Sequence, residues 1–215
     1  MLTIALSKGR ILDDTLPLFE RFGVFPMENP SKSRRLIIES NKPDIRFLII
    51  RASDVATYVQ FGAADAGVVG KDLLLEHGGD GMYETLDLNI ARCRMVVAEP
   101  ETASATSQAA SVARLRIATK YPNITQKHFA AKGIQTEIIK LYGSMELAPL
   151  VGLADSIVDL VDTGNTMSAN GLKEVETIAD ISSRFVVNRA SMKLKRQALS
   201  IVIDRMRESL KGSEH

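Results

Sequence analysis

The stretch Ile157-Val158-Asp159-Leu160-Val161-Asp162-Thr163-Gly164-Asn165-Thr166-Met167-Ser168-Ala169-Asn170-Gly171 concentrates residue types that handle phosphate. An apolar strand runs into an acid, a hydroxyl, a glycine and a second hydroxyl, and a helix then begins. Gly164 lets the backbone approach an oxyanion closely, successive N–H groups of such a turn point at it, and Thr163 and Thr166 add hydroxyl donors. Asp162 has the wrong sign for a bare phosphate. Beside a pentose phosphate it can accept hydrogen bonds from ribose hydroxyls or help to hold a magnesium ion, so its sign argues for a sugar phosphate. A strand followed by an ordinary capped helix would carry similar residues, and the spacing alone leaves both readings open.

Cations that could meet such a ligand lie elsewhere in the chain. Lys8 and Arg10 flank Gly9 in the turn after the first strand, at the edge where open α/β sheets bind ligands. Arg51 closes the apolar run Ile45 to Ile50 at the same edge, where a bidentate phosphate contact fits. Arg34 and Arg35 are adjacent; in a strand they would point to opposite faces, so at most one would enter a cleft directly. Solvated basic turns look the same in a sequence.

Composition narrows the classes. The net charge of +1 gives no global case for nucleic acid or an anionic membrane, so anion binding must come from local groups. Cys93 stands alone, and with His77, His128 and His215 as the histidines no zinc spacing exists. Cys93 reads as a buried filler. Charges interrupt every hydrophobic stretch before the ~20 apolar residues of a membrane span, and the N-terminus turns polar at Ser7-Lys8 before a signal-peptide core is complete. A soluble cytoplasmic protein is expected.

Short apolar runs alternate with helix-period segments, which predicts an α/β fold with mainly parallel strands. Strands are expected at Leu2–Leu6, Leu36–Glu39, Ile45–Ile50, Asp65–Val69, Leu115–Thr119, Ile134–Leu141, Ser156–Val161, Val175–Ile181 and Arg184–Val187, the second and third as a hairpin. Ser53 is expected to cap one helix, Asn123 with Gln126 to form a capping box for another, and Leu194–Leu210 to make a single helix. The Ala/Ser/Thr-rich region Glu99–Arg114 reads as a surface excursion and the tail from Lys211 as frayed. Gly62-Ala63-Ala64-Asp65, a strand and Gly70 are echoed by Gly152-Leu153-Ala154-Asp155, a strand and Gly164. Two lobes built on similar βα units would leave such an echo, with Asp65 and Asp155 as structural caps.

The run Glu146, Gly152, Ala154, Ile157, Asp159, Leu160, Thr163-Gly164-Asn165-Thr166-Met167 resembles the signature of the ATP phosphoribosyltransferases, as do Ala5-Leu6-Ser7-Lys8-Gly9-Arg10, Ile50-Arg51-Ala52-Ser53-Asp54-Val55 and Lys140-Leu141-Tyr142-Gly143-Ser144-Met145-Glu146. The resemblance spans essentially the whole chain and is to the short form of the family. It implies two α/β lobes like type II periplasmic binding proteins with the active site in the inter-lobe cleft, lobe I formed by residues 1–90 plus 178–215 and lobe II by residues 91–177. It implies transfer of the ribosyl carbon of phosphoribosyl pyrophosphate to N1 of ATP, the first step of histidine synthesis, with Mg2+ on the pyrophosphate. Its implied partners are a second copy of the chain and a regulatory subunit similar to histidyl-tRNA synthetase.

Carried onto this sequence, Glu146, Asp162, Thr163, Gly164, Asn165, Thr166, Ser168, Ala169 and Asn170 would bind phosphoribosyl pyrophosphate. Lys8, Gly9, Arg10, Arg34, Arg35 and Arg51 would bind ATP or pyrophosphate, with Lys8 and Arg51 catalytic, and Asp162 or Glu146 would assist the metal. Asp159 would orient the loop. The competing reading is a non-catalytic two-lobed receptor for a phosphorylated metabolite, since fold does not decide function.

Overall fold

The computed structural model describes residues 1–101 and 114–211, so most of the expected surface excursion and tail lie outside the described residues. The elements are, in order, β1 (Leu2–Ser7), α1 (Arg10–Glu20), β2 (Ile37–Glu39), β3 (Ile45–Ile50), α2 (Ala52–Gln60), β4 (Ala66–Gly70), α3 (Lys71–His77), β5 (Met82–Asp87) and β6 (Cys93–Pro100). There follow β7 (Leu115–Thr119), α4 (Pro122–Ala131), β8 (Thr136–Lys140), α5 (Leu147–Leu150), β9 (Ser156–Val161), α6 (Asn165–Ala169) and β10 (Leu172–Ile181). The chain closes with β11 (Ser183–Asn188), α7 (Arg189–Leu194) and α8 (Arg196–Lys211). It divides into two compact units, Met1–Ala91 with Ser182–His215, and Arg92–Ile181.

In the first unit the strand order is β2-β3-β1-β4-β11-β5; in the second it is β10-β6-β9-β7-β8. β1 runs parallel to β3 and β4, and β11 is antiparallel to β4 and β5. β7 runs parallel to β8 and β9, and β6 is antiparallel to β9 and β10. Thus β3-β1-β4-β11-β5 and β8-β7-β9-β6-β10 have one topology. The predicted hairpin is present as the antiparallel pair β2 and β3.

Strand alternation builds the first unit's core on both sheet faces. Ile4 and Leu6 of β1 join Leu12 and Phe19 of α1 and Leu199, Val202, Ile203 and Met206 of α8, whose spacing is one helical stripe. Ala5 faces the other way, toward Val55 and Val59 of α2. That helix can sit close because β4 carries Gly67: a Cβ there would lie 2.8 Å from Val55 Cγ1 and 3.2 Å from the Ala5 carbonyl oxygen. A separate cluster of Val96, Ala118, Ile157, Met145 and Met167 fills the second unit.

The glycine-aspartate echo is a structural device repeated in both units. Asp65 accepts the Thr3 N–H through Oδ2 at 2.9 Å, while its own N–H donates to the Thr3 carbonyl at 2.8 Å. Asp155 does the same with Arg116, at 2.9 and 2.8 Å. Each clasp joins the start of the third parallel strand to its neighbour, β4 to β1 and β9 to β7. These aspartates are therefore structural, clasping the start of each strand to its neighbour.

Four local expectations are corrected. α2 begins at Ala52 with Arg51 as N-cap, so Ser53 lies inside the first turn and donates to Asp54 Oδ1 at 2.9 Å. α4 begins at Pro122 behind Tyr121, with no side-chain cap; proline's fixed φ favours the first helical position. The expected helix Leu194–Leu210 is broken at Lys195 (φ −120°, ψ 29°). That break lets Lys195 Nζ reach Asp65 at 2.8 Å, and Ser191 Oγ donates to the same carboxylate at 2.7 Å. Cys93 is half-buried at the start of β6 rather than fully enclosed.

Burial pushes the Asp65 carboxyl up, but the hydrogen bonds from Lys195, Ser191 and Thr3 outweigh it and hold it below the usual carboxylate range. A carboxyl depressed in the folded state stabilises above its unfolded value and loses that contribution as pH falls through the folded one. Asp65→Asn should cost about 2 kcal/mol near neutral pH, because Lys195 loses its charge partner. Urea denaturation as a function of pH should show the gap to wild type narrowing below about pH 4. A pH-independent gap would contradict the charge role.

Candidate phosphate loop and basic turn

β9 is apolar and buried at Ile157, Val158 and Val161, and it delivers Asp162 to the surface. Gly164 follows in the left-handed region (φ 82°) and precedes α6, whose first turn closes through the Ser168 N–H to the Gly164 carbonyl at 3.1 Å. Met167, 4% exposed, pegs this turn into the second unit's core. Asp162, Thr163, Asn165, Thr166, Ser168, Ala169 and Asn170 are all exposed around it. Asn170 Nδ2 donates to the Thr166 carbonyl at 2.8 Å and closes the far side of the loop. Gly164 and Met167 thus set the backbone that presents these groups.

Glu146 sits in a second segment built the same way. It is the N-cap residue of α5, half-buried, and beside it Met145 is 2% exposed within the same core cluster. Ser144 takes a positive φ of 54°, which is uncommon for a residue with a side chain. Asp159, expected to orient the loop, lies half-buried on β9, where its Oδ1 accepts the Leu160 N–H at 2.8 Å.

In the first unit, Lys8 and Arg51 line one cavity of about 560 Å³, together with apolar Leu36, Ile49 and Ile50 and the acid Asp54. Lys8 Nζ donates to the Ser33 carbonyl at 2.9 Å, which ties the turn after β1 to the segment before β2. Arg10, Arg34 and Arg35 are not among the cavity's lining residues. Arg10 opens α1 and faces Asp14 at 3.9 Å. Arg34 and Arg35 precede β2 instead of lying in it, so strand alternation does not set their directions; Arg35 pairs with Glu28 at 3.6 Å.

Gly164 is hemmed in from the side of the sheet. An added Cβ would point beneath the loop, 3.3 Å from Glu174 Oε1 and 3.8 Å from Val161 Cγ1. Glu174 is in turn held by Arg94, whose Nη2 donates to both carboxylate oxygens at 3.0 and 2.9 Å. Neither residue was legible from local pattern, because they are 80 positions apart and meet only through sheet pairing.

Two sheets of the same mixed topology, one of them carrying a glycine-turn loop rich in hydroxyl and amide groups at a strand end, make an α/β protein with a candidate anion site. The family model for ATP phosphoribosyltransferase matches residues 51–208. An ATP phosphoribosyltransferase of Chromobacterium violaceum is 61% identical over 203 residues, covering 94% of this chain and 95% of the relative. The ATP phosphoribosyl transferase (HisG:HisZ) complex from Thermotoga maritima aligns with a TM-score of 0.85 at 33% identity over 99% of this chain and 100% of that chain. The periplasmic aliphatic sulphonate binding protein of Escherichia coli shares the fold alone, with a TM-score of 0.57 at 13% identity over 97% of this chain and 72% of its own. The chain belongs to the ATP phosphoribosyltransferase family, the enzymes of the first step of histidine biosynthesis.

Gly164→Ala should destabilise the second unit by about 1 kcal/mol from the left-handed backbone alone, and further through the contact with Glu174. Adding Glu174→Ala should relieve the second part and leave the first. Equal stability of Gly164→Ala and wild type in urea denaturation would contradict this geometry.

Proposed function

We propose that the chain condenses ATP with phosphoribosyl pyrophosphate, the 162–170 loop taking the ribose 5-phosphate and the basic residues of the first unit taking the phosphates of ATP and the leaving pyrophosphate. The observation that carries this reading is the exposed run Asp162 to Thr166 set on a left-handed glycine and anchored by Met167. Backbone N–H groups and the hydroxyls of Thr163 and Thr166 would hold the 5-phosphate. Asp162 and Glu146 would accept from the ribose hydroxyls.

In the reaction the bond from the ribosyl carbon to pyrophosphate breaks, its electron pair leaves with the pyrophosphate oxygen, and the N1 lone pair of adenine forms the new bond with inversion. Positive charge builds on the ribose and negative charge on the leaving group, so orientation and fixed cations lower the barrier. No protein nucleophile is required. Lys8 and Arg51, which share one cavity, would stabilise the departing pyrophosphate or hold the triphosphate.

Phosphoribosyl transfer uses a metal ion, which we assign as magnesium; bound with the substrate, it would supply positive charge to the leaving pyrophosphate. Among the described residues no group of three or more His, Cys, Asp or Glu side chains is placed to hold a metal. The exposed carboxylate of Asp162 and the half-buried one of Glu146 fit a hard ion that takes most of its ligands from substrate and water. We further propose a hetero-oligomer with a regulatory subunit, by analogy with the two-component complex of the Thermotoga maritima relative, a homodimeric catalytic core, and a cytoplasmic location. No helix among the described residues is long and apolar enough to cross a membrane.

A charge-assisted phosphate contact contributes roughly 1.5–3 kcal/mol, so Lys8→Ala or Arg51→Ala should lower kcat/KM by about one to two orders of magnitude with little change in Tm. Arg51→Ala should act on kcat and Lys8→Ala at least on KM, because a contact that strengthens as pyrophosphate leaves acts on turnover. Near-wild-type kinetics for both would remove them from the reaction. Gly164→Val should abolish calorimetric binding of phosphoribosyl pyrophosphate by displacing the loop backbone, and unchanged binding would refute the loop's assignment.

A further inference from the structure

The loop and the strand that delivers it have an unusual charge balance for a phosphate site. Residues 156–171 contain Asp159 and Asp162 and no lysine or arginine. Beneath the loop lies a third carboxylate, Glu174, with Oε1 3.3 Å from where a Cβ of Gly164 would be. A dianionic phosphate brought onto this turn would meet added repulsion from Glu174 unless a fixed cation cancels that charge.

Arg94 is such a cation. It stands second in β6 and is the cross-strand partner of Val161, the residue immediately before Asp162. Its Nη2 contacts both oxygens of Glu174, at 3.0 and 2.9 Å. The partner is delivered by an irregularity: β10 shifts register against β6 between Glu174 and Glu176, so Val175 is the extra residue of a bulge. Bulges re-aim the side chains beside them, and this one sits next to the carboxylate that underlies Gly164. The ion pair is half-exposed, with side-chain exposures of 44% and 31%, so as a source of stability it is minor.

We propose that Arg94 and Glu174 are a positioning pair for the phosphate loop: Glu174 supports the Gly164 turn from below, and Arg94 cancels its charge so that the loop accepts the 5-phosphate of phosphoribosyl pyrophosphate. The proposal rests on the reading of residues 162–170 as that substrate's site. Neither side chain is assigned a contact with the reacting atoms. Arg94→Met leaves an uncompensated carboxylate under the loop, whereas Arg94→Met with Glu174→Gln removes both charges and keeps a polar support beneath Gly164.

The test is calorimetric binding of phosphoribosyl pyrophosphate with magnesium, and separately of ATP, to the full chain and to Arg94→Met, Arg94→Lys, Glu174→Gln and the double variant, with Tm recorded for each. Arg94→Met should weaken phosphoribosyl pyrophosphate binding about tenfold or more. ATP binding should stay within about twofold, and Arg94→Lys and the double variant should each recover to within about threefold of wild type. Tight binding by Arg94→Met would overturn the pair's role, as would a double variant no better than Arg94→Met. Parallel loss of both ligands with a fall in Tm would also overturn it, because that is general disruption. Failure of the unaltered chain to bind phosphoribosyl pyrophosphate would instead overturn the functional reading on which the pair depends.

Discussion

A carboxylate clasped to a backbone N–H sets the third parallel strand in each unit. Asp65 and Asp155 each exchange two hydrogen bonds with a residue of the neighbouring strand, Thr3 or Arg116, so β4 and β9 enter their sheets in one register. A one-residue slip would turn Ile157 and Val161 out of the core. It would also misplace everything downstream of β9. The phosphate loop is therefore fixed from behind by Asp155 and from below by Met167, with Asn170 closing its far side.

The two clasps differ in strength for a physical reason. Asp65 is buried and receives Lys195 and Ser191 in addition to the strand N–H, whereas Asp155 is exposed and relies on Arg116, whose hydrogen bonds hold the carboxyl below its usual range. Arg116 Nη1 also donates to the Gly152 carbonyl at 3.1 Å, so one side chain ties the glycine turn and the aspartate of the echo together. The same motif thus serves a buried and a solvated site.

Much of this was legible because local chemistry is periodic. Leu2–Leu6, Ile45–Ile50 and Ser156–Val161 are buried strands with apolar runs, and the glycine-aspartate echo marked the repeated unit. β5 left little trace: Met82-Tyr83-Glu84-Thr85-Leu86-Asp87 is an edge strand with mostly partly exposed side chains, so no buried stripe marks it. Ser53 and Asn123 misled because capping residues also occur inside first turns, and Arg51 and Tyr121 took the cap positions. Arg94 and Glu174 could not be paired from spacing, because their meeting depends on β6 lying between β9 and β10 and on a bulge that no local pattern announces.

The fold alone is shared with a sulphonate-binding protein, so the decisive question is whether a bond is made. Purified chain should be incubated with ATP, phosphoribosyl pyrophosphate and magnesium, with and without a regulatory subunit, while phosphoribosyl-ATP absorbance and pyrophosphate release are followed together. Equimolar appearance of both products is the predicted result. Saturable binding of both substrates with neither product formed, in either condition, would contradict the account and leave a receptor for phosphorylated ligands.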